Sequence, residues 1–383
     1  MELLLPAGSP EKLCYALHYG ADAVYGGGEA FSLRTRAENF SAKQLAESIS
    51  CTHQSGKRFY LAVNSVIRER DYPRLLSYLD RVLPLGPDAV IVSDMGVVRA
   101  LRERFPDTEI HISTQSCISN SGAVRLLKEL GVSRVVLARE LSLEDIRTIK
   151  TLVPEMELEV FVHGAMCVAY SGRCLLSHYL STPAFLGKGE TPDRSVTRPR
   201  SANMGDCSHA CRWEFTLSEA RRNEEVLDAE LLDNGTLLFS SKDLCLINHL
   251  TALKEAGVDS LKIEGRMKSI LYIATTTRVY REAVNRALES SEVPGALLAE
   301  WERELSSVSS REYTTGFLFE DNEALLPLKG PAPALARYLG TVVERQGDCY
   351  LCRSSNRIAP GMPLEIIGPR MRLERGFSYY ASG

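Results

Sequence analysis

Residues 157–177, ELEVFVHGAMCVAYSGRCLLS, decide how the rest of the chain is read. The first seven alternate, with Leu158, Val160 and Val162 on one side and Glu159, Phe161 and His163 on the other. Successive side chains of a strand face opposite ways, so this period of two predicts a β-strand with one aliphatic face. Gly164 then begins a glycine-studded turn that carries Cys167 and Cys174. The aliphatic face needs a covering layer of helices, which leaves Glu159 and His163 pointing away from them.

The same strand-then-helix unit recurs on both sides of this stretch. ELLLP (2–6), DAVYG (22–26), RFYLAVN (58–64), DAVIVSD (88–94), EIHIST (109–114) and SRVVLAR (133–139) are each followed by an amphipathic helical stretch. SLKIEG (260–265) completes the set and leads into a helical run at 269–288. Eight such units predict an α/β fold of the (β/α)8 TIM-like barrel type. A doubly wound open sheet is the alternative, and the strand count and chain length favour the barrel. The expected organisation is a barrel domain at 1–290 with a long Cys-containing insertion at 164–259, a helical linker at 291–330, and a small β-barrel-like module at 331–383. An insertion after strand seven emerges on the C-terminal face, where barrel enzymes hold their active sites. Irregular segments of such length in compact domains are functional or disordered.

Hydrophobic residues make up 44% of the chain and charged residues 25%, as in a globular protein with a substantial core. A net charge of −4 excludes a wholly basic nucleic-acid binder but permits a local basic patch. No apolar run is long enough to span a membrane, and MELLLPAGSPEKL lacks the basic start of a signal peptide, so the expected location is cytoplasmic. Thiols stay reduced there, and clustered cysteines then point to metal or redox chemistry. Cys167 and Cys174 form C-x6-C, and Cys207 and Cys211 form C-x3-C. Four thiolates saturate a tetrahedral zinc or hold an iron–sulfur cluster, and this spacing does not name which. Cys245 is a possible substitute ligand or a buried small residue, and Cys117 lies within reach of the barrel mouth. Cys14 and Cys51 read as packing residues in helices. Cys349 and Cys352, a lone C-x-x-C, read as neighbours on a strand.

Polar residues gather at the strand ends. Besides Glu159 and His163, the alternation turns Lys262 and Glu264 inward on strand eight, and His111, Ser113 and Gln115 on strand five. Asn64, Asp94, Arg139 and Arg266 end or follow other strands. Charges inside a barrel are costly unless paired or solvated at its mouth, so this convergence suggests a ligand site. His163, Glu264 and Arg266 are the candidate catalytic residues; Asn64, Asp94, Gln115, Arg139 and Lys262 are candidates for substrate binding. The alternative for Lys262 and Glu264 is an internal salt bridge that fills the core.

EVFVHGAMC (159–167) and VAYSGRCLLS (168–177) resemble throughout the signature of the U32 peptidase family, the collagenase-like proteases. LLPAG (4–8), GADAVYGGG (20–28), DCSHACRWEF (206–215), SSKDL (240–244) and SLKIEGRMKS (260–269) are similar to its other landmarks. The family name implies a peptidase, yet the chain has neither an HExxH helix nor a GxSxG elbow. A Cys167–His163 pair would leave Cys174 without a use. Other members are oxygen-independent hydroxylation proteins acting on tRNA wobble uridine, ribosomal RNA or ubiquinone precursors, with a 4Fe-4S cluster on cysteines of this region. CRWEF and SSKDL are most similar to the prephenate-dependent branch that hydroxylates tRNA uridine at position 5. The resemblance thus implies Cys167, Cys174, Cys207 and Cys211 as cluster ligands, members differing in the third and fourth. It also implies a prephenate-derived oxygen donor suited to Arg139 and Arg266 and a tRNA or rRNA substrate, and it leaves room for a paralogous family partner. Arg173, Arg194, Arg198, Arg200, Arg212, Arg221 and Arg222 either meet phosphates or pair with Glu190, Asp193, Asp206 and Glu214. Trp213 either stacks a base or anchors the loop. The expected function is formation of 5-hydroxyuridine in tRNA. The alternatives are a peptidase, with zinc or no metal on the cysteines, and a non-enzymatic, metal-stabilised RNA-binding factor.

Overall fold

The computed structural model describes residues 1–33, 38–181, 200–213, 231–232, 235–236, 241–289, 293–319, 335–359, 362–371 and 373–375. Seven parallel strands follow in spatial order: β1 (Glu2–Pro6), β2 (Ala23–Gly26), β3 (Arg58–Val63), β4 (Ala89–Val92), β5 (Glu109–Ile112), β6 (Arg134–Val136) and β7 (Glu157–Ala165). β8 (Leu231–Leu232) and β9 (Gly235–Thr236) form a short antiparallel pair within the insertion. The next strand, β10 (Asp243–Cys245), runs antiparallel to the end of β7. β11 (Ser260–Ile263) pairs in parallel with both β7 and β1, which closes an eight-stranded barrel.

Helices α1 (Pro10–His18), α2 (Ala42–Gln54), α3 (Tyr72–Val82), α4 (Met95–Arg104), α5 (Ser121–Glu129) and α6 (Leu143–Leu152) link successive strands. Several starts are encoded locally: Ser41 with Gln44, and Ser142 with Asp145, form reciprocal capping boxes that satisfy otherwise orphaned amide donors. The insertion holds α7 (Leu176–Leu180) and α8 (Leu250–Glu255); α9 (Ile270–Glu289) and α10 (Gly295–Ser307) follow β11. The DLCLI stretch contributes strand β10, because the backbone of Asp243–Cys245 pairs with β7, and the following helix begins only at Leu250. The segment expected as a linker packs back on the barrel: Trp301 and Leu305 are buried, Glu304 pairs with Arg278 of α9, and β12 (Tyr313–Thr314) joins β10.

The alternation sorts the core into two parts. Leu3, Leu5, Val24, Leu61, Val90, Ile110, Leu158 and Leu261 belong to the core shared with the helices. Leu4, Ala23, Tyr25, Tyr60, Ala89 and Ile91 form a separate cluster inside the barrel. The remainder of the interior is ionic. Arg134 lies 2.5 Å from Glu2 and 3.1 Å from Glu159, and Lys262 lies 2.7 Å from Glu159. The Ser260 hydroxyl donates to both carboxylates, and Tyr60 donates to Glu2. Burial alone would raise the Glu159 carboxyl, but the charges of Lys262 and Arg134 outweigh it and bring it down to about 2. The expected inward positions of Glu159 and Lys262 thus hold, but the Lys262 partner is Glu159 rather than Glu264.

The C-terminal module comprises β13 (Gly340–Gln346) paired with β14 (Cys349–Ser354), and β15 (Glu365–Ile367) paired with β16 (Leu373–Arg375), both antiparallel. It rests on α1: the Tyr19 hydroxyl donates to the Ile367 carbonyl at 2.8 Å, and Tyr15 meets Thr341. Cys349 and Cys352 are exposed neighbours on β14.

Candidate thiol centre at the barrel mouth

The insertion sends two arms over the C-terminal ends of the strands. The first leaves β7 and runs through Cys167 and Cys174 into α7. Gly164 makes the departure possible: its φ is +107°, and a Cβ there would lie 2.5 Å from the Glu264 carbonyl oxygen. This arm is held by the ends of two neighbouring strands. Glu140, just after β6, accepts from the amide and hydroxyl of Ser171, each at 2.5 Å. Gln115, just after β5, donates to the Ser171 carbonyl at 3.0 Å and accepts from Arg173 Nε at 2.6 Å.

The second arm, 200–213, is bonded onto the first. The Cys174 amide donates to the Asn203 side chain at 3.0 Å, which donates back to the Cys174 carbonyl at 3.1 Å. The Ser208 amide donates to Ser177 Oγ at 2.8 Å, and Arg200 reaches the Cys207 carbonyl and the Asp206 carboxylate. The amide of Val66, past β3, donates to the Asn203 carbonyl. Among the described residues, four non-glycine residues have left-handed φ, and three of them build these loops: Cys117, Ser171 and His209. Strained backbone held by such a network marks a segment whose shape matters.

Cys211 reports the outcome. Burial raises its thiol, the Arg212 charge works against that, and the neighbouring Cys167, Cys207 and Cys174 raise it further, so Cys211 feels the other three thiols. Among the described residues, no group of three or more His, Cys, Asp or Glu side chains is drawn tightly enough to hold a single metal ion. Cys245 stands apart. It is half-buried beside the Tyr280 hydroxyl, and desolvation pushes its thiol up to about 11. The Cys117 thiol lies against the Tyr170 carbonyl at 3.9 Å, at the edge of the first arm. Cys14 and Cys51 meet between α1 and α2, where burial and then the neighbouring Cys51 raise the Cys14 thiol.

A family model for peptidase family U32 matches residues 8–326. The chain belongs to peptidase family U32. This U32 chain is 35% identical to the tRNA hydroxylation protein P of Escherichia coli (strain K12), over 96% of the chain and 86% of that protein. It is 38% identical to the tRNA hydroxylation protein P1 of Bacillus subtilis (strain 168), over 97% and 84% respectively. It is 36% identical to the 23S rRNA 5-hydroxycytidine C2501 synthase of Escherichia coli (strain K12), over 76% of the chain and 40% of that protein.

Within the U32 barrel, the other expected site residues are placed as follows. Asn64 accepts from the Leu33 amide and donates to Ser113, tying the loops after β2 and β5. Asp94 caps α4 through the amides of Gly96 and Val97. Arg139 donates to the Ala165 carbonyl at 3.0 Å and lies over the Phe161 ring, 4.2 Å from its centroid. Its Nε is buried with no acceptor among the described residues. Arg266, also buried, reaches across to the loop after β2, donating to the Leu33 carbonyl and the Asn39 side chain at 2.6 Å each. Glu264 is half-buried and caps the Gly265 amide at the end of β11. Arg194, Arg198, Arg221, Arg222, Glu190, Asp193 and Glu214 lie outside the described residues.

His163 departs from its expected inward position. The β7–β11 register shifts so that Ile263 pairs with His163, skipping Val162. This bulge turns the ring among Tyr272 and Tyr280 of α9 and Tyr313 of β12, at centroid distances of 5.3 to 5.8 Å. Tyr280 OH lies 3.3 Å from His163 Nδ1. Burial, then the charge of Lys268, push the imidazole down to about 3. The folded state therefore keeps His163 neutral where the unfolded chain protonates it, near pH 6.5. Stability present above pH 6.5 is lost as pH falls toward 3, by about 2 kcal/mol between pH 8 and 5 for this one group. His111, also buried and shifted down, adds to the same window. His163→Phe should flatten, without abolishing, the fall in denaturant stability between pH 8 and 5. An unchanged slope would show that His163 is not held neutral.

Missed in the sequence were Glu140, Asn203 and Ser177, which lock the arms, and Arg311. The last feels the charges of both Arg212 and Cys211 and is paired with Asp243. No spacing rule links Arg311 to the cysteines; only the return of the chain at β12 brings it there.

Proposed function

We propose that this chain hydroxylates RNA without dioxygen, forming 5-hydroxyuridine in tRNA, with a 4Fe-4S cluster held by Cys167, Cys174, Cys207 and Cys211. The observation that carries this reading is the hydrogen-bonded clamping of the arm bearing Cys167 and Cys174 to the arm bearing Cys207 and Cys211, beside the strand ends. The relatives named for tRNA hydroxylation, matched over most of both chains, supply the substrate class.

The donor set fits the group, being all sulfur and four in number, as a cubane cluster requires. Sulfurs sharing one tetrahedral zinc would stand about 3.8 Å apart, given Zn–S bonds of ~2.3 Å. A cluster takes one thiolate per iron and so needs a wider spread. Replacing C–H by C–OH on a pyrimidine is a two-electron oxidation, so the proposed oxygen donor would have to supply the oxygen atom and be reduced by two electrons, and a cluster on these thiols would relay those electrons one at a time.

The chain's own residues hold and shape the site. Glu140 and Gln115 fix the first arm, and Asn203 locks the second to it. Arg266 braces the mouth between β11 and the loop after β2. Arg139 places its buried, unsatisfied Nε beside the same arm, where a carboxylate of a prephenate-derived oxygen donor would find a partner.

The test is nucleoside mass spectrometry of tRNA from a strain lacking this gene and any paralogue, with and without the gene restored. 5-Hydroxyuridine should vanish in the deletion and return on complementation. Its persistence in the deletion would overturn the proposal. Gelatin cleavage that survives Cys167→Ser would favour a peptidase instead.

A further inference from the structure

Large apolar side chains left in solvent are unremarkable when scattered, but a contiguous set marks an interaction surface. On this molecule several are scattered singly, but one set lies on and beside the two cysteine-bearing arms. Tyr170 is 52% exposed, Tyr179 61% and Trp213 38%, with Val66, Val168 and Leu175 also exposed among them. They are structurally joined. Tyr170, Leu175 and Tyr179 ride on the first arm and Trp213 on the second, and the Asn203–Cys174 and Ser208–Ser177 hydrogen bonds clamp these arms together. The Val66 amide bonds the same Asn203.

Guanidinium groups are interleaved with these rings. Arg173 is exposed between Tyr170 and Tyr179, its Nε fixed by the Gln115 carbonyl. Arg212 immediately precedes Trp213, and Arg311 lies close enough to feel its charge. Such alternation suits a polymer with flat faces and regularly spaced negative charges. Aromatic rings stack on unpaired bases while arginines meet the phosphates. A duplex cannot use the rings, because its base faces already stack on one another. Chemistry at a ring carbon also requires the base to be out of the stack.

We propose that Tyr170, Tyr179 and Trp213 form a stacking platform for an unpaired RNA segment, with Arg173 and Arg212 on its phosphates, delivering one base to the thiol centre. This rests on the RNA-modifying reading above and assigns the side chains that would hold the unpaired segment.

The chain's two tryptophans make the test direct, since Trp213 is exposed and Trp301 is buried. Full-length, anaerobically purified protein is titrated with oligouridylate, alone and annealed to oligoadenylate, while tryptophan emission is followed. Oligouridylate should quench the emission, the duplex should not, and Trp213→Phe should lose the signal while keeping affinity by fluorescence anisotropy. Trp213→Leu and Tyr170→Leu, which preserve apolar surface but not a stacking face, should each weaken single-strand binding by about 5- to 150-fold. Equal affinity for strand and duplex, absence of quenching, or undiminished binding by the leucine variants would each overturn the platform. So would leucine variants that lose tRNA hydroxylation in cells yet bind oligouridylate normally, because the surface would then dock a protein. Loss of the platform with 5-hydroxyuridine intact refutes this inference alone. Stacking without any gene-dependent 5-hydroxyuridine refutes the proposed function alone.

Discussion

Cys174→Ser is expected to abolish tRNA hydroxylation while leaving the barrel folded. The two backbone bonds of Cys174 to Asn203 use its amide and carbonyl, not its sulfur, so serine preserves the lock between the arms. The side chain is half-buried on the rim and belongs to no part of the barrel core. If Cys174 is a cluster ligand as proposed, the change removes one soft, ionisable donor and leaves a hydroxyl that stays protonated and binds iron poorly. Activity should fall by more than the ~10- to 100-fold typical of disturbing residues behind a metal ligand. The measurement pairs 5-hydroxyuridine levels in a complemented deletion strain with the thermal unfolding of the purified variant. Normal hydroxylation by a stably folded Cys174→Ser protein would remove the four-thiol centre from the chemistry.

Lys262→Met is expected to cost about 3–5 kcal/mol of folding free energy, the range for breaking a buried ion pair from one side. Lys262 is almost fully buried, lies 2.7 Å from Glu159, and sits over the Tyr25 ring at 4.6 Å. Methionine fills similar space but leaves part of the Glu159 charge uncompensated, with Arg134 and Ser260 remaining. The added change Glu159→Gln should cost less in that background than alone, because the two side chains share one interaction. Urea unfolding of the two single variants and the double variant gives the coupling. Additive costs would mean that the inner ion network is not what holds this part of the barrel.

These two residues show where sequence reasoning reached and where it stopped. Alternation correctly turned both Glu159 and Lys262 inward, since side-chain direction along a strand is local geometry. Their role depended on which strand ends lay opposite. Glu2 and Arg134, from two other strands, and Ser260, two residues before Lys262 on β11, surround them and make the pair a core element. His163 fails the same local rule because one skipped residue in the β7–β11 register reverses its side, and a bulge leaves no mark in periodicity. Asp94 and Asn64 were noticed as polar strand ends, but only the neighbouring amides reveal that they cap a helix and tie loops together.

For the thiols, composition supplied the number and the loop context, and likeness to a family supplied the grouping. Neither could place the 200–213 arm against the 167–181 arm. That depends on hydrogen bonds between residues far apart in the chain, with Asn203 and Ser177 at the junction.

Repeating strands and helices are written in short-range patterns of apolar residues, so eight barrel units could be read directly from the amino acids. The juxtaposition of the two cysteine-bearing arms could not. Their side chains come from separate loops whose proximity arises only when the barrel closes, because closure is a long-range packing event that no local pattern encodes.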